Sequence, residues 1–127
     1  MSMTSSRPYL IRALYEWIVV NSLSPYLLVN AKVAGVQVPS EFIVNEKIIF
    51  NVSPQAVKDL QLGNESVEFN ARFSGKSRNV IVPINAVLAI YAKENGRGMI
   101  FNDEDDEDRP PEPSDNNPTK AKLKLVK

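Results

Sequence analysis

The chain has 127 residues, 43% of them hydrophobic, which is enough for one compact core and predicts a single folded domain. It contains no cysteine and no histidine. Disulfides, thiolate metal sites, cysteine nucleophiles and histidine general bases are therefore excluded, and we expect no metal and no cofactor. No apolar run approaches the roughly 20 residues that span a bilayer, and the opening MSMTSSRP lacks the pattern of a signal peptide. These features predict a cytoplasmic protein that does not enter a membrane.

The formal net charge is zero, but the charges are sorted along the chain. Residues 1–101 carry 10 Lys and Arg against 7 Asp and Glu, scattered among apolar residues. Residues 102–118 hold 8 acids against a single Arg, and residues 119–127 carry 4 Lys and no acid. An ordinary protein surface is thus followed by a strongly acidic stretch and then by a basic one.

A helix is predicted near the start of the chain. Ser5 and Ser6 are candidate N-caps and Pro8 suits a first helical turn, while Asn21 and Pro25 mark the end. Between these limits apolar residues recur at spacings of three and four, which gives the helix one broad apolar stripe. The stripe consists of Leu10, Ile11, Leu14, Tyr15, Trp17 and Ile18.

From residue 26 onward the apolar period changes to two, and turn residues separate short segments that we predict to be strands. The expected strands cover residues 26–33, 36–38, 42–44, 47–52, 65–74, 79–84, 87–92 and 99–101, with one short helical turn opening at Ser53 and Pro54. In 65–74 the apolar residues Val67, Phe69, Ala71 and Phe73 share one face. One helix followed by seven or eight short strands predicts a mainly β fold, either a small barrel or two packed antiparallel sheets.

Beyond Phe101 no apolar side chain other than proline occurs until Ala121, and four of the nine prolines fall in this gap. Such a stretch cannot build a core, so we expect residues 102–119 to be a disordered acidic linker after a folded domain of residues 1–101. Leu123, Leu125 and Val126 then appear among lysines. This pattern predicts that residues 120–127 are a short binding peptide, because a merely solubilising tail would not need these apolar side chains.

Five segments of the chain follow one another in a recognisable order. They are RPYLIRALYEW at 7–17, GVQVP at 35–39, EFNARF at 68–73, VPINAVLAIYA at 82–92 and ENG at 94–96. Together they resemble the stringent starvation protein B (SspB) family. The resemblance implies an adaptor, not an enzyme, that delivers ssrA-tagged proteins to the ClpXP protease. It also implies a β-rich, Sm-like domain that forms a homodimer largely through the N-terminal helix.

The apolar stripe of the helix is open to two interpretations. Tyr15 and Trp17 supply the aromatic area that protein interfaces favour, which fits a dimer. Alternatively, the stripe only covers the chain's own sheet. The resemblance favours the interface.

The resemblance further implies a groove for the N-terminal part of the ssrA tag. The family pattern transfers to Gln37, Val38, Glu41 and Phe42 and to Asn70, Ala71, Arg72 and Phe73. An extended peptide needs polar groups for its backbone and apolar recesses for its side chains. Asn70 can donate and accept hydrogen bonds, Arg72 can pair with an acidic tag side chain, and Ala71 permits close approach. A purely structural role in the core is the alternative for Phe69, Ala71 and Phe73.

Residues 120–127 correspond to the family's module that docks on the N-terminal zinc-binding domain of ClpX. By this resemblance Leu123, Leu125 and Val126 enter an apolar site, while Lys124 and Lys127 provide orientation and charge complementarity. Linker 102–119 then holds cargo near the unfoldase without clamping it.

Two other classes of function find less support in the sequence. Binding of single-stranded RNA by a small Sm-like or OB-like barrel needs a basic groove, and Arg72, Lys76 and Arg78 are the sole local cluster of cations. Catalysis by paired carboxylates needs a pair that no spacing of the glutamates indicates. We therefore expect neither a nucleic-acid partner nor an enzyme.

Overall fold

The computed structural model describes residues 3–101, which form one N-terminal helix and seven strands. Helix α1 spans Arg7–Val20. The strands are β1 Pro25–Asn30, β2 Lys47–Asn51, β3 Val57–Leu62, β4 Ser66–Phe73, β5 Lys76–Pro83, β6 Val87–Ala92 and β7 Gly98–Ile100. Single turns of 3-10 helix cover Ser40–Phe42 and Ile84–Ala86. The expectations for linker 102–119 and segment 120–127 lie outside the described residues.

The strands form two sheets in which every pairing is antiparallel. Sheet A has the order β2-β1-β6-β7, and sheet B has the order β3-β4-β5. Aromatic contacts join the sheets, because the ring of Phe50 on β2 lies 5.3 Å from that of Phe69 on β4. Within residues 3–101 the sheets do not close into a barrel. Of the two predicted architectures, the packed antiparallel sheets are therefore confirmed.

The core lies between the two sheets and against α1. Burial alternates with a period of two along β1 and β2, as expected for strands with one face on a core. In β4 the residues Val67 and Phe69 are buried and share the inward face with the half-buried Ala71 and Phe73, as predicted. In the register of β6 with β1, Leu28 pairs with Ala89 and Val29 with Val87, so a bulge lies at Leu88.

Helix α1 is confirmed close to its predicted limits and packs on β1, β3 and β6. The hydroxyl of Ser5, rather than that of the N-cap Ser6, accepts a hydrogen bond from the Arg7 N–H at 3.1 Å. The side chain of Arg7 is 1% exposed, donates to the Val87 carbonyl at 3.0 Å and lies over the Phe101 ring at 5.2 Å. Arg7 thereby fixes the helix to β6 and to the last described residue.

Two predictions about strands were wrong. Residues 36–38 and 42–44 contribute only isolated bridges, Gln37 with Ile81 and Val44 with Lys47, because Pro39 and the turn Ser40–Phe42 interrupt the extended chain. Strand β3 was not predicted at all. Within residues 3–101 no helix has the length and the apolar character needed to cross a bilayer.

Candidate functional site

The residues predicted to bind a tag lie on two neighbouring segments, the loop 37–42 and the second half of β4. Gln37 exchanges two backbone hydrogen bonds with Ile81 of β5, at 2.8 and 3.1 Å. At the other end of the loop, the Glu41 carboxylate lies 3.1 Å from the Arg78 guanidinium of β5. The loop is therefore fastened to sheet B at both ends.

A partly exposed apolar surface lies where this loop meets the end of β4. The ring of Phe42 is 41% exposed and its centroid lies 5.5 Å from that of Phe73. Phe73 in turn lies 6.0 Å from the buried Phe50, so this apolar surface is continuous with the core. Ala71 precedes Phe73 on the same face of β4. We call the site formed by Phe42, Ala71 and Phe73 the Phe42 recess.

The alternation of β4 places Asn70 and Arg72 on the opposite face of sheet B. Asn70 is held between two strands, since its amide donates to Asp59 at 3.1 Å and its carbonyl accepts from Asn79 at 3.0 Å. The guanidinium of Arg72 donates to the Gly75 carbonyl at 3.0 Å. The structure thus divides the predicted set, with Phe42, Ala71 and Phe73 in the recess and Asn70 and Arg72 away from it.

The remaining predicted groove residues, Gln37, Val38 and Glu41, form the rim on the loop side. Gln37 and Glu41 are exposed, and Val38 is half-buried against the core. Arg78 also belongs to this rim, and it was not predicted from the sequence. Arg78 and Glu41 are 37 residues apart, so no local pattern could connect them.

The predicted basic cluster does not form a row of cations for phosphate binding. Arg78 is paired with Glu41, and Arg72 binds the carbonyl of Gly75. Within the described part of the chain, no group of three or more histidine, cysteine, aspartate or glutamate side chains could hold a metal ion.

The residues of the predicted interface stripe on α1 are divided between the core and the surface. Ile11 and Ile18 are buried in the chain's own core, whereas Leu10, Leu14 and Tyr15 are half-buried against it. Burial raises the pKa of the Tyr15 phenol.

Trp17 is 45% exposed and lines a small cleft with Asn95 and Arg97 of the β6–β7 hairpin. The exposed face of α1 also carries large apolar side chains that the sequence analysis did not select, Tyr9 and Val20. We call Tyr9, Ala13, Glu16, Trp17 and Val20 the outer face of α1. Because this outer face is also apolar, α1 can both cover the chain's own core and contact another protein.

Comparison with known proteins decides the family. The profile of the family described as Stringent starvation protein B matches residues 5–124. The chain belongs to the stringent starvation protein B family. The SspB resemblance of the sequence motifs is thereby confirmed, and the matched range includes the Phe42 recess, α1 and most of segment 120–127.

A curated SspB relative is the stringent starvation protein B homolog of Haemophilus influenzae. It is 50% identical over 99 residues, which cover 78% of this chain and 66% of the relative. The chain thus spans just under two thirds of the length of that relative.

Proposed function

We propose that this SspB-family protein is an adaptor that binds the ssrA degradation tag and tethers tagged proteins to ClpX, so that ClpXP degrades them faster. Family membership supports the proposal in general. The structural observation that carries it is the Phe42 recess, where an aromatic ring stands 41% exposed against a second ring that is anchored in the core.

The recess suits a short extended peptide because it combines apolar depth with a polar rim. Apolar tag side chains fill the space beside Phe42 and Phe73, while Gln37 and Glu41 offer polar groups along the loop. The two attachments of the loop, at Ile81 and at Arg78, fix the position of Phe42 before the peptide arrives. A preformed site loses less conformational entropy on binding than a loop that must first be ordered.

Asn70 and Arg72 have a secondary role in this proposal. Their side chains lie on the other face of β4 and already have partners within the protein. They contact the tag only where it continues past the edge of the sheet. Their substitution therefore weakens tag binding less than substitution of Phe42.

The outer face of α1 is the proposed dimer interface. Trp17 and Val20 expose apolar area that a second copy of the same helix can bury about a two-fold axis. A dimer carries two copies of segment 120–127, and the leucines at 123 and 125 of each copy dock on the zinc-binding domain of ClpX. Two tethers raise the avidity for the unfoldase without a new kind of contact.

Replacing Phe42 by alanine tests the recess. We expect the dissociation constant for a fluorescent ssrA-tag peptide to rise about tenfold, because a half-exposed aromatic contact contributes about 1–2 kcal/mol. Fluorescence anisotropy measures this constant. The control is Ile49→Ala, which truncates another half-exposed side chain on the outer face of sheet A. Equal affinities of the Phe42→Ala and Ile49→Ala proteins would reject the recess as the tag site.

A further inference from the structure

The outer face of sheet A, which points away from the core, carries an uninterrupted apolar row across all four strands. The register places Leu28 opposite both Ile49 and Ala89, and Ala89 opposite Ile100. Ile49 is 53% exposed and Ile100 is 80% exposed. Between them, Leu28 is half-buried and Ala89 is 4% exposed. We call Leu28, Ile49, Ala89 and Ile100 the sheet A row. Exposed apolar rows of this kind mark interaction surfaces.

The surroundings of the sheet A row favour an apolar ligand. Tyr26 and Tyr91 form the adjacent row, with ring centroids 6.0 Å apart. Burial and then the proximity of Tyr26 raise the pKa of the Tyr91 phenol. A shallow groove of about 560 Å³ runs along the row, lined by Leu28, Leu88, Ile100 and other apolar residues and, at one end, by Lys47. A few aliphatic side chains fit a groove of this size.

The position at which the chain leaves sheet A indicates which segment can occupy the groove. Phe101 lines the groove and directly follows β7, the edge strand of sheet A. The 18 residues of linker 102–119 span roughly 25 Å as a flexible chain. Four strands at a spacing of about 4.8 Å are only about 14 Å across. Segment 120–127 of the same chain can therefore reach every residue of the sheet A row.

The chemistry of segment 120–127 matches that surface. In an extended conformation Leu123 and Leu125 point to one side, and Lys122 and Lys124 point to the other. The leucines can thus lie on the row while Lys122 and Lys124 stay in water. Only one side of β7 is paired in sheet A, so its other side offers backbone groups to an added strand.

We propose that segment 120–127 docks on the sheet A row of its own chain and is thereby withheld from other partners. Docking is intramolecular, so even a weak contact is populated at the high effective concentration that a short linker provides. The docked form cannot engage an unfoldase at the same time. This regulatory consequence rests on the proposed function, whereas the docking itself does not.

Paramagnetic relaxation enhancement in the full chain tests the docking. Because the protein has no cysteine, Lys127→Cys provides a single site for a nitroxide label. We expect the label to broaden the amide signals of Leu28, Ile49 and Ile100 and to leave those of Glu68 and Arg72, on the outward face of sheet B, unchanged. Replacing Leu123 and Leu125 by serine should abolish the broadening.

Two matched surface variants locate the docking site. Ile100→Lys places a charge in the row at a position that is 80% exposed, so the fold tolerates it, and it should abolish the broadening. Val44→Lys changes a similarly exposed side chain on the loop before β2 and should preserve it. Broadening that survives Ile100→Lys, or that is absent from the row in the parent protein, would overturn the proposal.

A mixed sample tests whether the docked segment comes from a second copy of the chain. It contains nitroxide-labelled chains without isotope enrichment and isotope-enriched chains without the label. We expect no broadening of the row in this mixture, because docking occurs within one chain. Strong broadening there would show that the row binds another copy and would overturn the proposal. None of these readouts uses a tag or an unfoldase, so failure of the proposed function would leave them unaffected.

Discussion

At the scale of single residues, Gly98 is the glycine whose hydrogen side chain matters most for packing. A Cβ at this position would overlap the Ile90 carbonyl oxygen and lie 2.5 Å from the Cα of Tyr91, both on the neighbouring β6. Only glycine allows β7 to approach β6 this closely. The sheet A row depends on this pairing because Ile100 belongs to β7.

Gly98→Ala should therefore reduce the free energy of unfolding by about 2–3 kcal/mol, the cost of overpacking a tight contact. Urea denaturation followed by circular dichroism measures it. Gly75→Ala is the control, since its φ is +82° but no atom lies within 4 Å of the added Cβ, and it should cost about 1 kcal/mol. An equal loss of unfolding free energy in the two variants would show that β7 moves away from β6 and accommodates the added methyl group.

Glu94 links the β6–β7 hairpin to the residue before β1. Its carboxylate accepts hydrogen bonds from the backbone N–H and from the hydroxyl of Ser24, each at 2.8 Å. The backbone bond first, and then the hydroxyl bond, hold the pKa of Glu94 below its ordinary value of 4.5. Because the folded-state pKa is lowered, the stabilisation is present above the unfolded-state value and is lost as the pH falls through the folded-state value.

Glu94→Gln should accordingly lower the urea midpoint at pH 7, and the difference from the parent protein should shrink as the pH is lowered below 4.5. Urea titrations at pH 7 and at acidic pH provide the comparison. Glu65→Gln is the control, because this exposed carboxyl group accepts no hydrogen bond among the described residues. A Glu94→Gln effect that is independent of pH would refute the charge-assisted bond.

Residue-level sequence patterns predicted part of the candidate site. The apolar period of β4 correctly assigned Ala71 and Phe73 to the inward face, and the same period separated them from Asn70 and Arg72. The prediction that all four residues contact the tag is not tested by this alternation and stays a prediction. The contacts of Phe42 with Phe73 and of Glu41 with Arg78 join residues distant in the chain, so only the fold could show them.

At the scale of secondary-structure elements, strong periodicity decided which predictions succeeded. Helix α1 and β4 each carry a regular apolar pattern and were predicted within a few residues. Strand β3 is an edge strand that exposes Lys58, Asp59 and Gln61 and contains a register shift, with Asp59 at a φ of +56°. Such a strand has no period of two, because little of it faces the core.

The outer face of α1 carries the element-scale prediction. Val20→Lys puts a charge into the proposed helix interface at a position that is 69% exposed, so the monomer should keep its stability. We expect the dimer dissociation constant to rise at least about tenfold, as measured by sedimentation equilibrium. Val44→Lys is the control, with 68% exposure on the loop before β2. Unchanged self-association in the Val20→Lys protein would exclude this face as the interface.

At the scale of the whole molecule, the distribution of charge divides the sequence into parts of different character. Residues 1–101 carry the described fold with few excess charges, whereas the acidic linker and the basic segment follow it in order. The proposed tag site and the proposed dimer interface use different elements, so the two proposed contacts are compatible with each other. Segment 120–127 is proposed to bind an unfoldase or, by our inference, the sheet A row.

The count of short strands correctly predicted a mainly β fold, whereas the division of the chain after residue 101 stays a prediction. The sequence could not distinguish a closed barrel from two open sheets. That difference depends on which strands pair, and β7 pairs with β6 instead of bridging to sheet B. Strand pairing is a non-local property that no window of residues contains.

The most direct measurement of the central claim is the rate at which ClpXP degrades an ssrA-tagged cargo at a concentration well below saturation. The rate is compared without adaptor, with the full chain, and with a chain ending at Thr119. We predict that the full chain accelerates degradation of tagged but not untagged cargo and that the shortened chain does not, although it still binds the tag. No acceleration by the full chain, or equal acceleration by both chains, would contradict the adaptor account.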